Sequence, residues 1–178
     1  MKKIIMIVSI CAIILLFTLF VSNSFVQTNC IDGSSENMTI KKLTPNLMVE
    51  DVNKAINFYK ETLGFEFVMG VPKDSKEVLM EMPEGRELIY SLMKLGNIEV
   101  MFQAKESLSE DIPVFKDVKI GSSSTLYFEV DNVEELYNQL KDKVIVVKEL
   151  STTWYGMQEF YIQDVDGYIL GFAQQKQG

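Results

Sequence analysis

Hydrophobic residues recur along this chain with two periods, and the order of those periods occurs twice. Residues 43–49 read as a short strand, with Pro45 near its start, where an edge tolerates a missing N–H. Asp51 suits an N-cap, its carboxylate accepting from free amides of the first turn. Val52, Ala55, Ile56, Tyr59 and Leu63 then fall at helical spacing, and Gly64 stops the helix. Residues 65–69 return as a strand. Residues 70–86 hold Gly70, Pro72, Pro83 and Gly85 among charges and read mostly as loop, with a short strand at 77–81. Two further strands are expected at 87–94 and 97–103, turning at Leu95-Gly96. After a charged connection over 104–122 the order restarts. Leu126, Phe128 and Val130 alternate with Thr125, Tyr127 and Glu129, the pattern of a half-buried strand. Asp131-Asn132 can cap a helix carrying Val133, Leu136, Tyr137 and Leu140. A strand at 144–147 follows. Two aromatic-rich strands, 157–163 and 168–174, then flank Asp164-Val165-Asp166-Gly167, which reads as a hairpin turn. The expected fold class is α+β, with two βαβββ units at about 40–104 and 122–176.

Ahead of this domain, Lys2-Lys3 precedes an apolar run over residues 4–21, broken only by Ser9 and Thr18. Charge, apolar run and then small residues are the layout of an export signal. The run is also near the lower length for crossing a bilayer, so residues 1–24 are expected to be a signal peptide or an anchor. Residues 25–39 read as a linker, and 40–176 as the domain. Either leader places the domain outside the cytoplasm, secreted or membrane-anchored, and the membrane is met only through this segment. Translation from Met38 would instead give a cytoplasmic protein. Cys30 follows Gln27-Thr28-Asn29, which are not the residues of a lipid-attachment signal. Asn37-Met38-Thr39 matches a glycosylation sequon, a short pattern that arises often by chance.

Net charge narrows the partners. The chain carries −8, and the charges in residues 1–37 cancel, so the domain carries all of it. Such a domain repels phosphate backbones and is not expected to bind nucleic acid. Histidine is absent, and both cysteines, Cys11 and Cys30, precede the domain. The His/Cys ligand sets of zinc and most transition metals are therefore excluded, as are Ser-His-Asp triads and cysteine nucleophiles.

Several words of the domain resemble the vicinal oxygen chelate superfamily, which comprises glyoxalases, bleomycin resistance proteins and dioxygenases. They are Thr44-Pro45-Asn46-Leu47 with Val49-Glu50-Asp51, Phe58-Tyr59 with Leu63-Gly64-Phe65, and Asp164-Val165-Asp166-Gly167-Tyr168, in this order over residues 40–175. The resemblance implies that the two units form a curled mixed sheet around a concave cavity, and that the protein is a homodimer. In metal-dependent members, such as glyoxalase I, four inward strand positions hold the ion. Here those positions would be Thr44, Glu99, Thr125 and Gly171, and only Glu99 is a strong ligand. A Lewis-acid site needs about three protein ligands, so no catalytic metal or other cofactor is expected. What remains is similar to the bleomycin-resistance branch, which binds its ligand without chemistry. Trp154-Tyr155-Gly156-Met157-Gln158-Glu159-Phe160 ahead of the Asp-x-Asp-Gly turn fits that branch. The implied partner is a small molecule, cationic or aromatic.

The candidate ligand-binding residues are Asn46, Glu99, Met101, Thr125, Tyr127, Trp154 and Tyr161. Alternation sets Ile98, Val100 and Phe102 on the helix-covered face, and Glu99 and Met101 on the other. Glu99 is either a cavity acid or an exposed strand glutamate. Trp154 is either a stacking platform or an aromatic packed on a sheet edge. Tyr127 and Tyr161 offer hydroxyls, and Glu129 could meet a cation. Met48 and Met101 could form an adaptable apolar wall. Two alternatives stand beside ligand binding. One is a glyoxalase-like lyase or isomerase with Glu99 as base or an atypical metal site; the other is an envelope interaction module.

Overall fold

The computed structural model describes residues 39–176, and residues from Lys42 onward form one compact body. The expected leader lies outside the described residues. Among these, no helix is long and apolar enough to cross a membrane. The first unit runs β1 (Asn46–Val49), α1 (Val52–Leu63), β2 (Glu66–Pro72), β3 (Leu88–Leu95) and β4 (Ile98–Ala104). A short α2 (Lys105–Asp111) and a 3-10 turn (Pro113–Phe115) follow. The second unit runs β5 (Thr125–Glu129), α3 (Val133–Leu140), β6 (Ile145–Thr152), β7 (Met157–Gln163) and β8 (Ile169–Gln175).

The repeat is real, but the expected single curled sheet is not what forms. There are two separate four-stranded mixed sheets, ordered β1-β4-β3-β2 and β5-β8-β7-β6. In each, the first strand pairs in parallel with the last, and the other pairings are antiparallel. A helix follows the first strand of each unit because a polar cap starts it. Asp51 Oδ1 accepts from the Lys54 amide at 3.1 Å, and Asn132 Oδ1 from the Glu135 amide at 3.2 Å. Gly64 ends α1 with φ of +78°, a conformation that costs glycine nothing.

Three local expectations change. The strand at 77–81 reduces to one bridge between Gly70 and Leu79. The connection over 104–122 contains α2, which no side chain caps. β6 is twice the expected length and is out of register with β7 on both sides of Lys148. The loop ahead of β3 is pinned. Arg86 donates to Asp74 and Glu77 at 2.7 and 2.6 Å, and Asn53 of α1 bonds the backbone at Arg86 and Leu88.

The core lies between helices and sheets. Tyr59 of α1 is fully buried, edge-on to Phe65 and Phe102 at 5.5 and 4.7 Å. Phe160, Phe172 and Phe128 stack in sequence beneath α3, with neighbouring centroids 5.3 Å apart. The β7–β8 turn joins the units. Tyr59 Oη donates to Asp164 Oδ2 at 3.1 Å, while Asp164 Oδ1 accepts from the amides of Asp166 and Tyr168 at 3.0 and 2.8 Å. Tyr168 Oη donates to the Met48 carbonyl, and the Glu50 amide donates to Asp166 Oδ1. The Asp-x-Asp-Gly segment is thus a latch between halves as well as a hairpin turn.

Candidate ligand site

The face of the second sheet turned away from α3 carries a polar cluster built from three strands. In β7, Phe160 and Ile162 enter the core, so Glu159 and Tyr161 point the other way. In β5, Tyr127 shares their face. Register sets Tyr127 and Tyr161 on either side of Gly171 in β8. A Cβ at Gly171 would stand 2.6 Å from Tyr161 Cε1 and 3.1 Å from Tyr127 Cδ2. The absent side chain therefore lets both rings lie over the sheet, their centroids 6.4 Å apart.

Glu159 sits at the centre and is only 2% exposed. Lys148 Nζ donates to its Oε1 at 2.6 Å and Tyr127 Oη to its Oε2 at 3.1 Å, with Tyr155 Oη at 3.4 Å. Burial opposes the charge, but the Lys148 and Tyr127 hydrogen bonds outweigh it and hold the carboxyl below its ordinary range. Burial and the Glu159 carboxylate push Tyr127 up to about 12, so this hydroxyl keeps its proton and donates. Lys148 is raised by the same carboxylate and also lies over the Tyr161 ring at 5.2 Å.

The sign of the Glu159 shift gives a prediction. A depressed carboxylate contributes stability above its unfolded value, near 4.5, and loses it as pH falls through the folded value. Glu159→Gln is therefore expected to be less stable than the parent at neutral pH, with the gap closing in acid below about 4.5. Paired thermal melts from pH 3 to 8 check this; a gap independent of pH would contradict it.

Beside this cluster, Trp154 is 94% exposed in the β6–β7 turn. It does not pack on the sheet edge; its ring contact is with Tyr155, edge-on at 5.2 Å. A cavity of about 420 Å³ adjoins Tyr127, and Glu99, Thr125 and Glu129 line it with Leu43 and Pro45. The structure thus brings Glu99, Thr125 and Tyr127 to one cavity, with Tyr161 beside it. Lys42 pairs with the Glu99 carboxylate. Asn46 and Met101 stand apart from that cavity's lining. The Asn46 amide donates to Gln103 Oε1 at 2.9 Å, and Gln103 Nε2 donates on to Ser107 and Asp111 of α2. Met101 lies opposite Asn46 in the β1–β4 register.

The four positions of the related metal sites do not fit a divalent ion. Thr44 precedes β1, Glu99 is engaged by Lys42, Thr125 offers one hydroxyl, and rings lie over Gly171. Among the described residues no group of three or more Asp, Glu, His or Cys side chains is placed to hold a metal.

Glu159, Lys148 and Tyr155 were not among the sequence candidates. Glu159 could have been found, because it lies two residues before Tyr161 on a strand. Lys148 carries no such signal.

A profile of the Glyoxalase/Bleomycin resistance protein/Dioxygenase superfamily matches residues 40–172. The chain belongs to this superfamily. Within it, the bleomycin resistance protein of Geobacillus stearothermophilus is 28% identical over 135 residues, 74% of this chain and 94% of the relative. A superfamily member from Sphaerobacter thermophilus superposes with a TM-score of 0.58 at 21% identity, over 77% of this chain and 98% of its own. TnmS3, described as an antibiotic binding protein from Streptomyces sp. CB03234, gives 0.54 at 21% identity, over 78% and 99%. The two structural similarities establish the superfamily fold.

Proposed function

We propose that the chain is a small-molecule-binding protein of this superfamily that holds an aromatic ligand without a catalytic metal. The observation that carries the reading is the aromatic face of the second sheet. Tyr127 and Tyr161 are fixed there around a buried carboxylate, and Trp154 and Tyr155 stand open beside them. Fixed rings lose little conformational freedom on binding and offer faces for stacking. The names of the Geobacillus relative and of the Streptomyces neighbour support a role in sequestering or sensing such a molecule. The lyase reading is weaker, because Lys42 engages the Glu99 carboxylate that a general base needs free. A homodimer and export by residues 4–21 complete the proposal.

Trp154 is the chain's only tryptophan, so its fluorescence reports on this face directly. Titration with a panel of polycyclic aromatic compounds is expected to change Trp154 emission and to raise the melting temperature together. A ligand at 100 times its Kd stabilises by about 2.7 kcal/mol. Stabilisation by a divalent metal that a chelator reverses would revive a metal enzyme. Silence across the panel would leave the interaction module as the better account.

A further inference from the structure

Lys148 is on the opposite face from the one its position in the strand dictates. Val146 and Leu150 of β6 both pack against the core. A regular pleat would send Lys148, midway between them, the same way. Instead β6 loses register with β7 between Val146 and Lys148 and again between Lys148 and Ser151, leaving Lys148 opposite Tyr161. Two side chains exchange faces as a result. Lys148 crosses to the tyrosine face, and Glu149 turns to where Tyr137 of α3 donates to its carboxylate. Irregularities of this kind disrupt ladder hydrogen bonds and re-aim side chains.

The side chain so delivered is an oriented ammonium. It donates to Glu159 and is 46% exposed, so it keeps N–H groups for a ligand. Glu159, buried beneath it, cannot be reached while Lys148 is in place. The charge that a ligand meets among Tyr127, Tyr155, Tyr161 and Trp154 is therefore positive. We infer that the ligand's anchoring group is an anion carried on an aromatic frame, such as an aryl carboxylate or phenolate, with Lys148 as its partner and Glu159 as the positioning residue. This rests on the aromatic face being the ligand site proposed above. It reverses the cationic ligand that the family resemblance implies. Charges on the acidic chain that lie beyond about 8 Å are screened at physiological salt, so the nearby Lys148 decides the sign a ligand meets. Of the acids in the neighbouring cavity, Glu99 is paired with Lys42, which leaves Glu129 as the carboxylate facing it.

Three probes of one shape test this: naphthalene carboxylate, naphthalenemethanol and naphthylmethylammonium, titrated calorimetrically into the full-length chain. The carboxylate is expected to bind about tenfold tighter than the alcohol, the margin of a charge-assisted hydrogen bond, and the ammonium more weakly than either. Lys148→Met should bring the carboxylate to the level of the alcohol, while Lys148→Arg keeps the preference. If the ammonium binds the parent protein most tightly, Lys148 only keeps a cation's place and the inference falls. Equal binding of all three also overturns it but leaves the aromatic site standing. Failure of all three to bind removes both.

Discussion

Asp164→Ala is expected to cost about 3 kcal/mol and to lower the melting temperature by roughly 10 °C for a domain of this size. The carboxylate accepts from the Tyr59 hydroxyl and from the Asp166 and Tyr168 amides, and alanine leaves all three donors without it. Tyr59 is the worst placed of them, because it is fully buried and water cannot replace the lost acceptor. One effect works in the other direction. Burial raises Asp164 above its ordinary value, so ionising it in the folded state is unfavourable, and its removal relieves that. The relief is absent below about 3.8 and grows as pH rises through the folded value. The cost of Asp164→Ala should therefore be largest in acid and smaller at neutral pH. Tyr59→Phe removes one donor only and should cost about 1 kcal/mol. Chemical denaturation of the three proteins at two pH values measures both points. If Asp164→Ala melts with the parent, the latch contributes nothing.

Gly171→Val should abolish the aromatic face and leave the fold in place. A valine Cβ would enter the space of both Tyr161 and Tyr127, which lie beside Gly171 across β7 and β5. Tyr127 is half exposed, so the clash can push the rings outward at the loss of the Tyr127–Glu159 hydrogen bond, and the stability cost is about 1–3 kcal/mol. Binding has no such escape, since stacking needs both rings where they are. Loss of at least about tenfold in affinity for naphthalene carboxylate is expected, on the scale of one to two aromatic contacts. Amide spectra of the variant should change around 127, 161 and 171 and stay unchanged around Tyr59. Full affinity in a folded Gly171→Val protein would place the ligand elsewhere.

Most of the fold is readable because local and long-range signals agree. Asp51 and Asn132 cap helices whose apolar stripes match their sheets, and Gly167 takes the positive φ, +89°, that the hairpin turn needs. The α2 helix is unreadable for the opposite reason. It is seven residues long, starts at an uncapped Ala104 and is mostly charged. The site divides in the same way. Tyr127 and Tyr161 follow from parity along regular strands, and Glu159 lies within reach of the same rule. Lys148 breaks the rule, because the irregularities in β6 arise from how the strand meets β7, and nothing in Val146-Val147-Lys148-Glu149-Leu150 marks them. That the units form two sheets and not one is equally a matter of how they meet, which strand periodicity does not encode.

The latch also sets a timetable. Tyr59 waits for an acceptor 105 residues further along the chain. At bacterial and eukaryotic synthesis rates that is an interval of roughly 5–20 s. Throughout it the first unit can assemble its strands and helix, yet the hydroxyl at the middle of its core must remain hydrated. The first half thus gains the acceptor for its buried hydroxyl only when the last hairpin has been made, and a chain cut short before Asp164 never gains it.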